Sequence, residues 1–327
     1  MIIIRTPLRM SFVGGGSDLP AFYRRHGGAV LSTTIDKYVY VSVNRKFDGG
    51  IRLAYSRVEE VEELAQVEHK LVKATFEKLG VYGGVEITTT ADIPSRGTGM
   101  GSSSSFTVGL IQALCAYQGR YASPDELGAW SSEIEIDRCG EPIGKQDQYA
   151  AAFGGFNLIE FNSDETVRVS PVLMQRDLLE MLQKRIVVFY TGITRSASSI
   201  LAQQSAATAE DGAKRASLIR MVELTHMLRD ELQRGHIDSF GKILDENWRL
   251  KKSLTAGIST GAIDEMYDAA RRAGASGGKL LGAGAGGFLM FYAPSERHDE
   301  IEQALGLRRI KFAFEALGSR VLFYNPS

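Results

Sequence analysis

Apolar and polar residues alternate along several short stretches of the chain, and each such stretch predicts a half-buried β-strand. In residues 1–12, Arg9 and Ser11 face one way and their apolar neighbours face the other. Pro7 makes this an edge strand or interrupts it, because proline has no N–H for the strand ladder. Similar alternation or apolar runs predict strands over residues 36–47, 85–91, 156–161, 167–172, 185–190, 288–292 and 320–324.

Elsewhere, apolar residues recur at three- and four-residue spacing, which predicts amphipathic α-helices. One predicted helix covers residues 59–79, and another begins near Phe106 and runs to about Tyr117. Ser123 and Pro124 are suited to the N-cap and the first turn of a further helix. Residues 205–252 (broken near Gly235), 263–273 and 296–317 are also predicted to be helical.

Chain length, charge and cysteine content limit the classes of protein to which this sequence can belong. The 327 residues are enough for two domains and a large core. With 38 Lys+Arg against 39 Asp+Glu and no basic block, the composition argues against a nucleic-acid or membrane-surface partner. Cys115 and Cys139 are too few for a disulfide framework and lack zinc-ligand spacing. No stretch fits a signal peptide or a membrane span, so we expect a cytoplasmic enzyme.

A glycine- and serine-rich stretch, residues 92–105, lies between the strand at 85–91 and the helix that begins near Phe106. Its glycines let backbone N–H groups close around an oxyanion, and the helix directs its free N–H groups and its dipole to the same place. The stretch therefore predicts a phosphate-binding loop. A flexible linker is disfavoured, because a linker should not separate a strand from a helix of one domain. The stretch is neither a Walker A loop nor a dinucleotide fingerprint.

A second glycine turn, Gly14 to Gly16, follows the first strand and leads into Ser17 and Asp18. Two interpretations stay open. Ser17 or Asp18 caps a short helix over residues 21–25. Alternatively, Asp18 accepts hydrogen bonds from the hydroxyls of a polyol, with Arg9 nearby.

Two later segments also leave alternatives open. Carboxylates between Glu135 and Asp147 either converge on one point from two helix ends or face solvent. In residues 191–196 a glycine turn opens a helix with Arg195 at the opening, which is either a cap with a surface arginine or an anion site.

Gly282, Gly284 and Gly287 match the spacing GxGxxG. The match is followed by an apolar strand and not by a helix, so a dinucleotide-binding βαβ unit is rejected. A glycine loop between two strands can still cover phosphates or line a cleft.

Three of these segments together resemble the GHMP kinases, the family of galactokinase and of homoserine, mevalonate and phosphomevalonate kinases. Pro7–Asp18 is similar to the N-terminal substrate motif, and Pro94–Ser105 to the ATP loop P-x-x-x-G-L-G-S-S, with Thr98 in place of leucine. Lys279–Gly287 resembles the C-terminal glycine motif. Glu135–Asp147 is similar to the galactokinase pattern E-H-x-F-x-G-x-P-C-G-I-M-D-Q. The order and spread of these matches cover nearly the whole chain.

Within the family, the segments PLRxSFxGGGSD and GKQDQYAA look most like the heptose 7-phosphate kinases. Those enzymes phosphorylate the anomeric hydroxyl of D-glycero-D-manno-heptose 7-phosphate on the way to GDP-heptose for surface polysaccharides. The galactokinase form Gly-Glu-His-x-Asp is Gly-Gly-Gly-Ser-Asp here, which disfavours galactose because the Glu and His side chains are missing. A fucokinase-like substrate stays open.

The resemblance implies an α+β, two-domain GHMP kinase fold. A ribosomal protein S5 domain 2-like N-terminal domain would cover residues 1–170 and contain the ATP loop. A ferredoxin-like C-terminal domain would cover residues 171–327, with the active site in the cleft between the two. The implied partners are a sugar phosphate and ATP, and the implied cofactor is Mg²⁺. A homodimer is left open.

The resemblance also implies residue roles. Asp147 would accept the proton of the attacking hydroxyl or orient it, and Arg9 would stabilise charge beside it. Mg²⁺ would be held by Ser103 or an adjacent serine together with Glu135. The residues expected to hold ATP are Pro94, Arg96, Gly97, Thr98, Gly99, Met100, Gly101, Ser102, Ser103 and Ser104. Those expected to hold the sugar are Gly14, Gly15, Gly16, Ser17, Asp18 and Gly284, with Lys145 or Arg195 on its phosphate.

Two other classes of function are weighed against this one. A catalytically silent regulator that binds sugar and ATP could use the same fold. A nicotinamide oxidoreductase that uses the GxGxxG segment would bind NAD tightly. The presence of Arg9, Glu135 and Asp147 together favours an active kinase.

Overall fold

A computed structural model describes residues 1–93, 98–193, 197–284 and 286–326, without the side chains of residues 197–199 and 207–210. Its strands are β1 (Ile2–Val13), β2 (Gly28–Arg45), β3 (Ile51–Ala54), β4 (Val58–Val61), β5 (Val85–Ala91), β6 (Phe156–Phe161), β7 (Val167–Pro171), β8 (Ile186–Tyr190), β9 (Gly277–Leu280), β10 (Phe288–Tyr292), β11 (Arg308–Ile310), β12 (Phe314–Glu315) and β13 (Arg320–Tyr324).

The helices are α1 (Pro20–His26), α2 (Lys70–Leu79), α3 (Ser102–Tyr117), α4 (Pro124–Ser132), α5 (Gln146–Phe153), α6 (Arg176–Lys184), α7 (Ala197–Glu210), α8 (Gly212–Gln233), α9 (Ser239–Ser253), α10 (Gly261–Arg272) and α11 (His298–Leu305). A π-helical turn over Glu133–Arg138 continues α4, and 3₁₀ turns cover Leu64–Gln66 and Ser295–Arg297. In the part of the chain that the structure describes, no helix has the length and hydropathy to cross a bilayer.

The long strands β1 and β2 pair along most of their length in the larger of two sheets. Within the described ranges this sheet has nine strands, with the order β13-β1-β2-β5-β3-β4 and with β6, β7 and β12 attached through β2. Every pair is antiparallel except β3 with β5. The last strand returns to the first, with Ile2 opposite Tyr324. Residues from both ends of the chain therefore build one sheet.

Pro7 interrupts β1, as predicted, because the register of β1 on β2 shifts between Pro7 and Leu8. At Pro7 the strand also pairs on one side only, with Tyr38 of β2, because β13 pairs with β1 only over Ile2–Arg5. The following residues Arg9 and Ser11 lie on the same side of the strand, which is the side that borders the main cavity. The N-terminal polar alternation thus marks the side of β1 that lines the cavity.

A smaller antiparallel sheet, with the order β11-β8-β10-β9, holds the second glycine segment between β9 and β10. This strand–loop–strand arrangement confirms that the segment is not a dinucleotide-binding βαβ unit. The helix α9 packs against β9, and α10 packs against α11.

The helix α3 lies across β1 and β2 with most of its residues buried. Its close approach depends on Gly109, where a Cβ would lie 2.7 Å from Oγ1 of Thr6 on β1. The hydroxyl of Ser105 donates to the carbonyl of Pro7 at 2.8 Å. These contacts fix the first half of α3 beside the middle of β1.

The prediction of a helix over residues 59–79 is wrong for the first half of that range. Residues Val58–Val61 are β4, which pairs with Ile51–Ala54, and the helix begins only at Lys70. The carboxylate of Glu59 is buried there and accepts a hydrogen bond from the N–H of Glu68 at 2.8 Å. Long-range strand pairing therefore overrides a helical pattern that the sequence favours.

The helix predicted over residues 296–317 is also too long. It ends at Gly306, whose φ of +61° is the left-handed conformation that terminates helices. The chain then forms β11 on the small sheet and β12 on the large one, where Phe314 lies opposite Ile35. Both pairings join residues far apart in the sequence.

Candidate active site

Arg9 and Asp147 are joined by two parallel hydrogen bonds at one wall of a cavity. Nε and Nη2 of Arg9, on β1, donate to Oδ1 and Oδ2 of Asp147, in the first turn of α5, both at 2.8 Å. Nη1 of Arg9 also donates to the carbonyl of Gly99 at 2.6 Å. The side chain of Arg9 is 4% exposed and that of Asp147 is 24% exposed. The carboxylate is therefore fixed in place yet reachable from the cavity.

The loop that leads from Thr98 into α3 borders the same cavity. Gly99 and Gly101 have φ angles of +73° and +76°, conformations that favour glycine. A Cβ on Gly101 would lie 3.3 Å from Oδ2 of Asp147, so glycine allows the backbone to approach the carboxylate. The 16-residue helix α3 begins directly after this loop. Its free N–H groups and its dipole point to this loop and are suited to bind an anion.

Glu135 lies on the π-helical turn after α4 and is buried beside the start of α3. Its carboxylate accepts hydrogen bonds from the hydroxyls of Ser104 at 2.7 Å and Thr107 at 2.9 Å. Ser103 donates at 3.4 Å, and the side-chain amide of Gln148 also donates. Burial raises the pKa of Glu135 to about 7, although the bonds from its neighbours oppose that rise. A π turn is rare and frequently marks a functional position.

Asp18 is buried and lines the same cavity as the loop that begins at Thr98. Its Oδ1 accepts from the N–H of Gly16 at 2.8 Å, and its Oδ2 accepts from the N–H of Gln146 at 3.4 Å. Burial raises the pKa of this carboxyl. Leu19 is the N-cap of α1, with no side-chain hydrogen bond to the helix, so the helix-cap interpretation is wrong. Binding of sugar hydroxyls by Asp18 stays a prediction.

The cavity has a volume of about 510 Å³ and brings most of the predicted site residues together. The predicted residues that line it are Arg9, Gly15, Gly16, Asp18, Thr98, Gly99, Gly101, Ser102, Ser103, Ser104, Glu135 and Asp147. Pro94, Arg96, Gly97 and Arg195 lie outside the described residues.

Two residues of the first glycine turn do not reach the cavity. Gly14 is packed so closely that a Cβ would lie 2.0 Å from the carbonyl oxygen of Ala29. The hydroxyl of Ser17 exchanges hydrogen bonds with the N–H and the carbonyl of Ala29, both at 3.0 Å. Both residues hold the turn against β2, so we remove them from the proposed sugar contacts.

The side chain of Met100 and the residue Gly284 do not line the cavity. The side chain of Met100 is 1% exposed and packs in the apolar core, while its carbonyl accepts from the N–H of Arg9 at 3.0 Å. Gly284 packs against the backbone of Ile258, where a Cβ would lie 2.7 Å from the Cα. Neither position presents a side chain to the cavity, and an ATP contact through the backbone N–H of Met100 stays a prediction.

Lys145 is held outside the main cavity by Glu165. Its Nζ donates to Oε2 of Glu165 at 2.5 Å, and the hydroxyl of Tyr23 donates to the same oxygen at 2.6 Å. Lys145 lines a second, smaller cavity with these residues and not the one that contains Asp147. We therefore remove Lys145 from the residues proposed for the substrate phosphate.

Comparison with known proteins identifies the family. The model of the GHMP kinases N terminal domain matches residues 65–155, and that of the GHMP kinases C terminal matches residues 228–308. The D-glycero-alpha-D-manno-heptose 7-phosphate kinase of Campylobacter jejuni subsp. jejuni is 30% identical over 314 residues, which cover 91% of each chain. The chain belongs to the GHMP kinases.

Two further relatives extend the comparison. The crystal structure described as a D-glycero-D-manno-heptose 1-phosphate kinase from Bacteroides thetaiotaomicron is 28% identical, covers 99% of each chain and superposes with a TM-score of 0.81. The bifunctional fucokinase/GDP-fucose pyrophosphorylase of Arabidopsis thaliana is 27% identical over 92% of this chain and 31% of its own length. The two-domain α+β fold is therefore confirmed, and this GHMP kinase is a phosphotransferase that acts on an alcohol group of a sugar, with ATP as co-substrate.

The residues around Glu135 fit a Mg²⁺ ion in this GHMP kinase. One buried carboxylate and the hydroxyls of Ser103 and Ser104 supply hard oxygen donors at the start of α3. Across the described ranges, no group of three or more His, Cys, Asp or Glu side chains forms a metal site. That absence is compatible with Mg²⁺, which is usually bound by one or two carboxylates together with substrate phosphates and water.

Two lysines that were not predicted as site residues also line the cavity of this GHMP kinase. Lys251 on α9 donates to the carbonyl of Gly15 at 3.0 Å, and Lys279 on β9 donates to the carbonyl of Phe12 at 3.1 Å. Lys279 begins the C-terminal glycine motif, which is a usable signal. Lys251 is one of two adjacent lysines near a helix end, and the sequence alone does not show which of them faces inward.

Proposed function

We propose that the protein transfers the γ-phosphoryl group of ATP to the anomeric hydroxyl of D-glycero-D-manno-heptose 7-phosphate. The observation that supports this most directly is the Arg9–Asp147 pair, which faces the same cavity as the glycine loop and the N-terminus of α3. The name of the Campylobacter relative supports the heptose 7-phosphate, and the name of the Bacteroides structure differs in the position of the phosphate.

In this proposal the triphosphate of ATP lies on the loop between Thr98 and Ser104. Backbone N–H groups and the helix dipole neutralise its charge. Phosphoryl transfer demands little covalent chemistry from the protein, so alignment and charge neutralisation are its main tasks. A Mg²⁺ ion held by Ser103 and Glu135 would neutralise phosphate charge in the transition state.

Asp147 orients the acceptor hydroxyl and takes its proton as the new bond to phosphorus forms. Arg9 holds both carboxylate oxygens of Asp147 in one plane, so the carboxylate keeps a single orientation toward the cavity. Asp18 and the backbone of Gly15 and Gly16 bind the ring hydroxyls of the sugar.

The proposed physiological role is the synthesis of nucleotide-activated heptose for surface polysaccharides, in the cytoplasm. Residues 1–170 would form the ATP-binding domain and residues 171–327 the second domain. The strands β12 and β13 qualify that division, because they return to the large sheet.

Phosphate transfer from ATP to heptose 7-phosphate, mannose, fucose and galactose tests the proposal. We expect the highest kcat/KM with the heptose phosphate. Asp147→Asn should lower kcat about 10²- to 10⁴-fold while ATP still binds. Asp238→Asn is the matched control, because Asp238 lies at the surface paired with Arg185. A fully active Asp147→Asn variant contradicts the assigned role of the carboxylate.

A second candidate substrate is fucose, which the Arabidopsis relative favours. Both candidates use the same site, so the substrate panel separates them. A catalytically silent regulator would bind ATP and sugar without turnover in any of these assays. The intact Arg9–Asp147 pair argues for the active enzyme.

A further inference from the structure

Two lysine side chains that the proposed reaction does not use reach the main cavity from different elements. Lys251 is 5% exposed and Lys279 is 4% exposed. Nζ of Lys251 donates to Gly15 and, at 2.8 Å, to the side-chain oxygen of Gln204. Nζ of Lys279 donates to Phe12. An ammonium group has three N–H donors, so each lysine retains the capacity to bind a ligand beyond these bonds.

The charges around these lysines do not balance. Burial lowers the pKa of Lys251 to about 8, and among the described residues the charge of Asp18 opposes that effect. Burial, followed by the charges of Lys251 and Arg9, lowers the pKa of Lys279 to about 7. Arg9 is already paired with Asp147, so Asp18 is the carboxylate that faces both lysines. Two buried cations opposite one anion are costly unless a further anion joins them.

An independent observation points to a ligand at the same place. The hydroxyl of Ser11 and the side-chain oxygen of Gln146 are buried, line the cavity and have no hydrogen-bond partner among the residues described. Both lie close to Gly15, since a Cβ there would be 3.6 Å from Oγ of Ser11 and 3.7 Å from Nε2 of Gln146. Buried polar atoms normally have a hydrogen-bond partner, so these two atoms indicate that a ligand supplies one.

The donors and acceptors match a sugar that carries a phosphate. Ammonium groups and a hydroxyl donate to phosphate oxygens. The oxygen of Gln146 accepts from a sugar hydroxyl. The α-phosphate, β-phosphate and γ-phosphate of ATP belong on the other wall, at the start of α3, in the proposed function.

We propose that Lys251 and Lys279, with the hydroxyl of Ser11, bind the phosphate group of a phosphorylated sugar and so select it over the unphosphorylated sugar. This inference rests on the proposed function, because it assigns a site to the phosphate of that substrate. It replaces Lys145, which Glu165 holds elsewhere.

The test compares kcat/KM for D-glycero-D-manno-heptose 7-phosphate with kcat/KM for the same heptose without phosphate. The ratio of the two values measures the preference for phosphate and cancels losses of folded protein. We expect Lys251→Met and Lys279→Met each to reduce this preference on the order of 10- to 100-fold. Lys252→Met is the matched control, because Nζ of Lys252 donates to Asp264 at 2.8 Å on the outer side of α9.

Ser11→Ala carries the test if a lysine variant does not fold. It removes a buried hydroxyl that has no partner among the described residues, so thermal stability should not fall. We expect KM for the heptose phosphate to rise on the order of tenfold, with KM for the unphosphorylated heptose unchanged. An unchanged KM for the phosphate contradicts the assignment.

The outcomes separate the two proposals. In one outcome, the wild-type enzyme prefers the phosphorylated heptose and the folded Lys251→Met and Lys279→Met variants keep the same preference. This result overturns the inference and leaves the proposed function standing. A wild-type enzyme that uses the unphosphorylated heptose equally well overturns the proposed substrate, and the inference fails with it.

Discussion

Gly282 touches Gly99 so closely that a Cβ on Gly282 would lie 2.4 Å from the Cα of Gly99. The two glycine loops, one before α3 and one after β9, therefore meet backbone to backbone beside the cavity. In the other direction, a Cβ on Gly99 would lie 2.2 Å from the carbonyl oxygen of Leu281. Neither loop can accept a side chain at this contact without moving the other.

The contact predicts that Gly282→Ala displaces the ATP loop and raises KM for ATP about tenfold. The added methyl meets backbone that cannot rotate away, and φ at this position is +84°. A displacement of about 1 Å at a reacting centre can cost about 100-fold in rate, so tenfold is a modest expectation. Steady-state kinetics with varied ATP measures the effect.

Gly80→Ala is the control for that prediction. Gly80 ends α2 with φ of +68°, and a Cβ there would have no described atom within 4 Å. It therefore shares the backbone strain of Gly282→Ala, about 1–2 kcal/mol, without the collision. Equal effects of both variants on KM for ATP would show that the contact between the loops is not what matters.

Arg9→Lys should lower kcat on the order of 10- to 100-fold while the protein stays folded. The three N–H donors of a lysine diverge from one nitrogen, so they cannot reproduce the planar fork that holds both oxygens of Asp147 while a third N–H reaches the carbonyl of Gly99. Arg5→Lys, four residues earlier on β1, is the control, because Arg5 pairs with Glu315 away from the cavity. A fully active Arg9→Lys variant would show that charge alone suffices at this position.

The glycine loop and the polar face of β1 could be predicted from local sequence patterns. The glycine loop at residues 98–101 and the strand and helix around it belong to one short segment. The predicted strand and the predicted helix are both confirmed. The polar face of β1 at Arg9 and Ser11 follows from the alternation of a strand. The position of Glu135 beside the start of α3 could be predicted only through the family resemblance.

Features that depend on distant contacts were not predictable in this way. Lys251 and Lys252 are equivalent by sequence, and the packing of α9 on β9 decides that Lys251 faces the cavity. Lys145 follows a glycine in a motif-rich segment, yet Glu165 fixes it elsewhere. The residues after Gly306 have a helical pattern and instead pair with strands of both sheets.

Lys145→Met should leave KM for the sugar phosphate unchanged and lower the free energy of unfolding by no more than about 1 kcal/mol. The pair of Lys145 with Glu165 is partly exposed, and such pairs contribute little. Chemical denaturation and steady-state kinetics on one preparation measure both quantities. A tenfold rise in KM would return Lys145 to the phosphate site and would count against Lys251 and Lys279.

The raised pKa of Glu135 should make the free energy of unfolding depend on pH, and Glu135→Gln should remove this dependence. Burial raises the pKa of Glu135 from 4.5 to about 7 in the folded protein. Between these values the folded state keeps a proton that the unfolded chain has lost, so the free energy of unfolding falls as pH rises through this window. From pH 4.5 to 7.5, the wild-type protein should lose on the order of 2–3 kcal/mol relative to Glu135→Gln.

Glu133→Gln is a control with the opposite sign. Burial raises the pKa of Glu133, but the bonds from Lys78 and Arg138 outweigh it, and the net shift is downward. Its charge therefore stabilises the fold above the ordinary carboxyl pKa, and this contribution is lost on acidification. Urea unfolding at a series of pH values follows both variants. If the difference between wild type and Glu135→Gln stays flat across the window, Glu135 is ionised throughout. Glu135→Gln should also lower Mg²⁺-dependent turnover if this carboxylate is the proposed ligand, because a neutral amide is a weaker ligand for a hard cation.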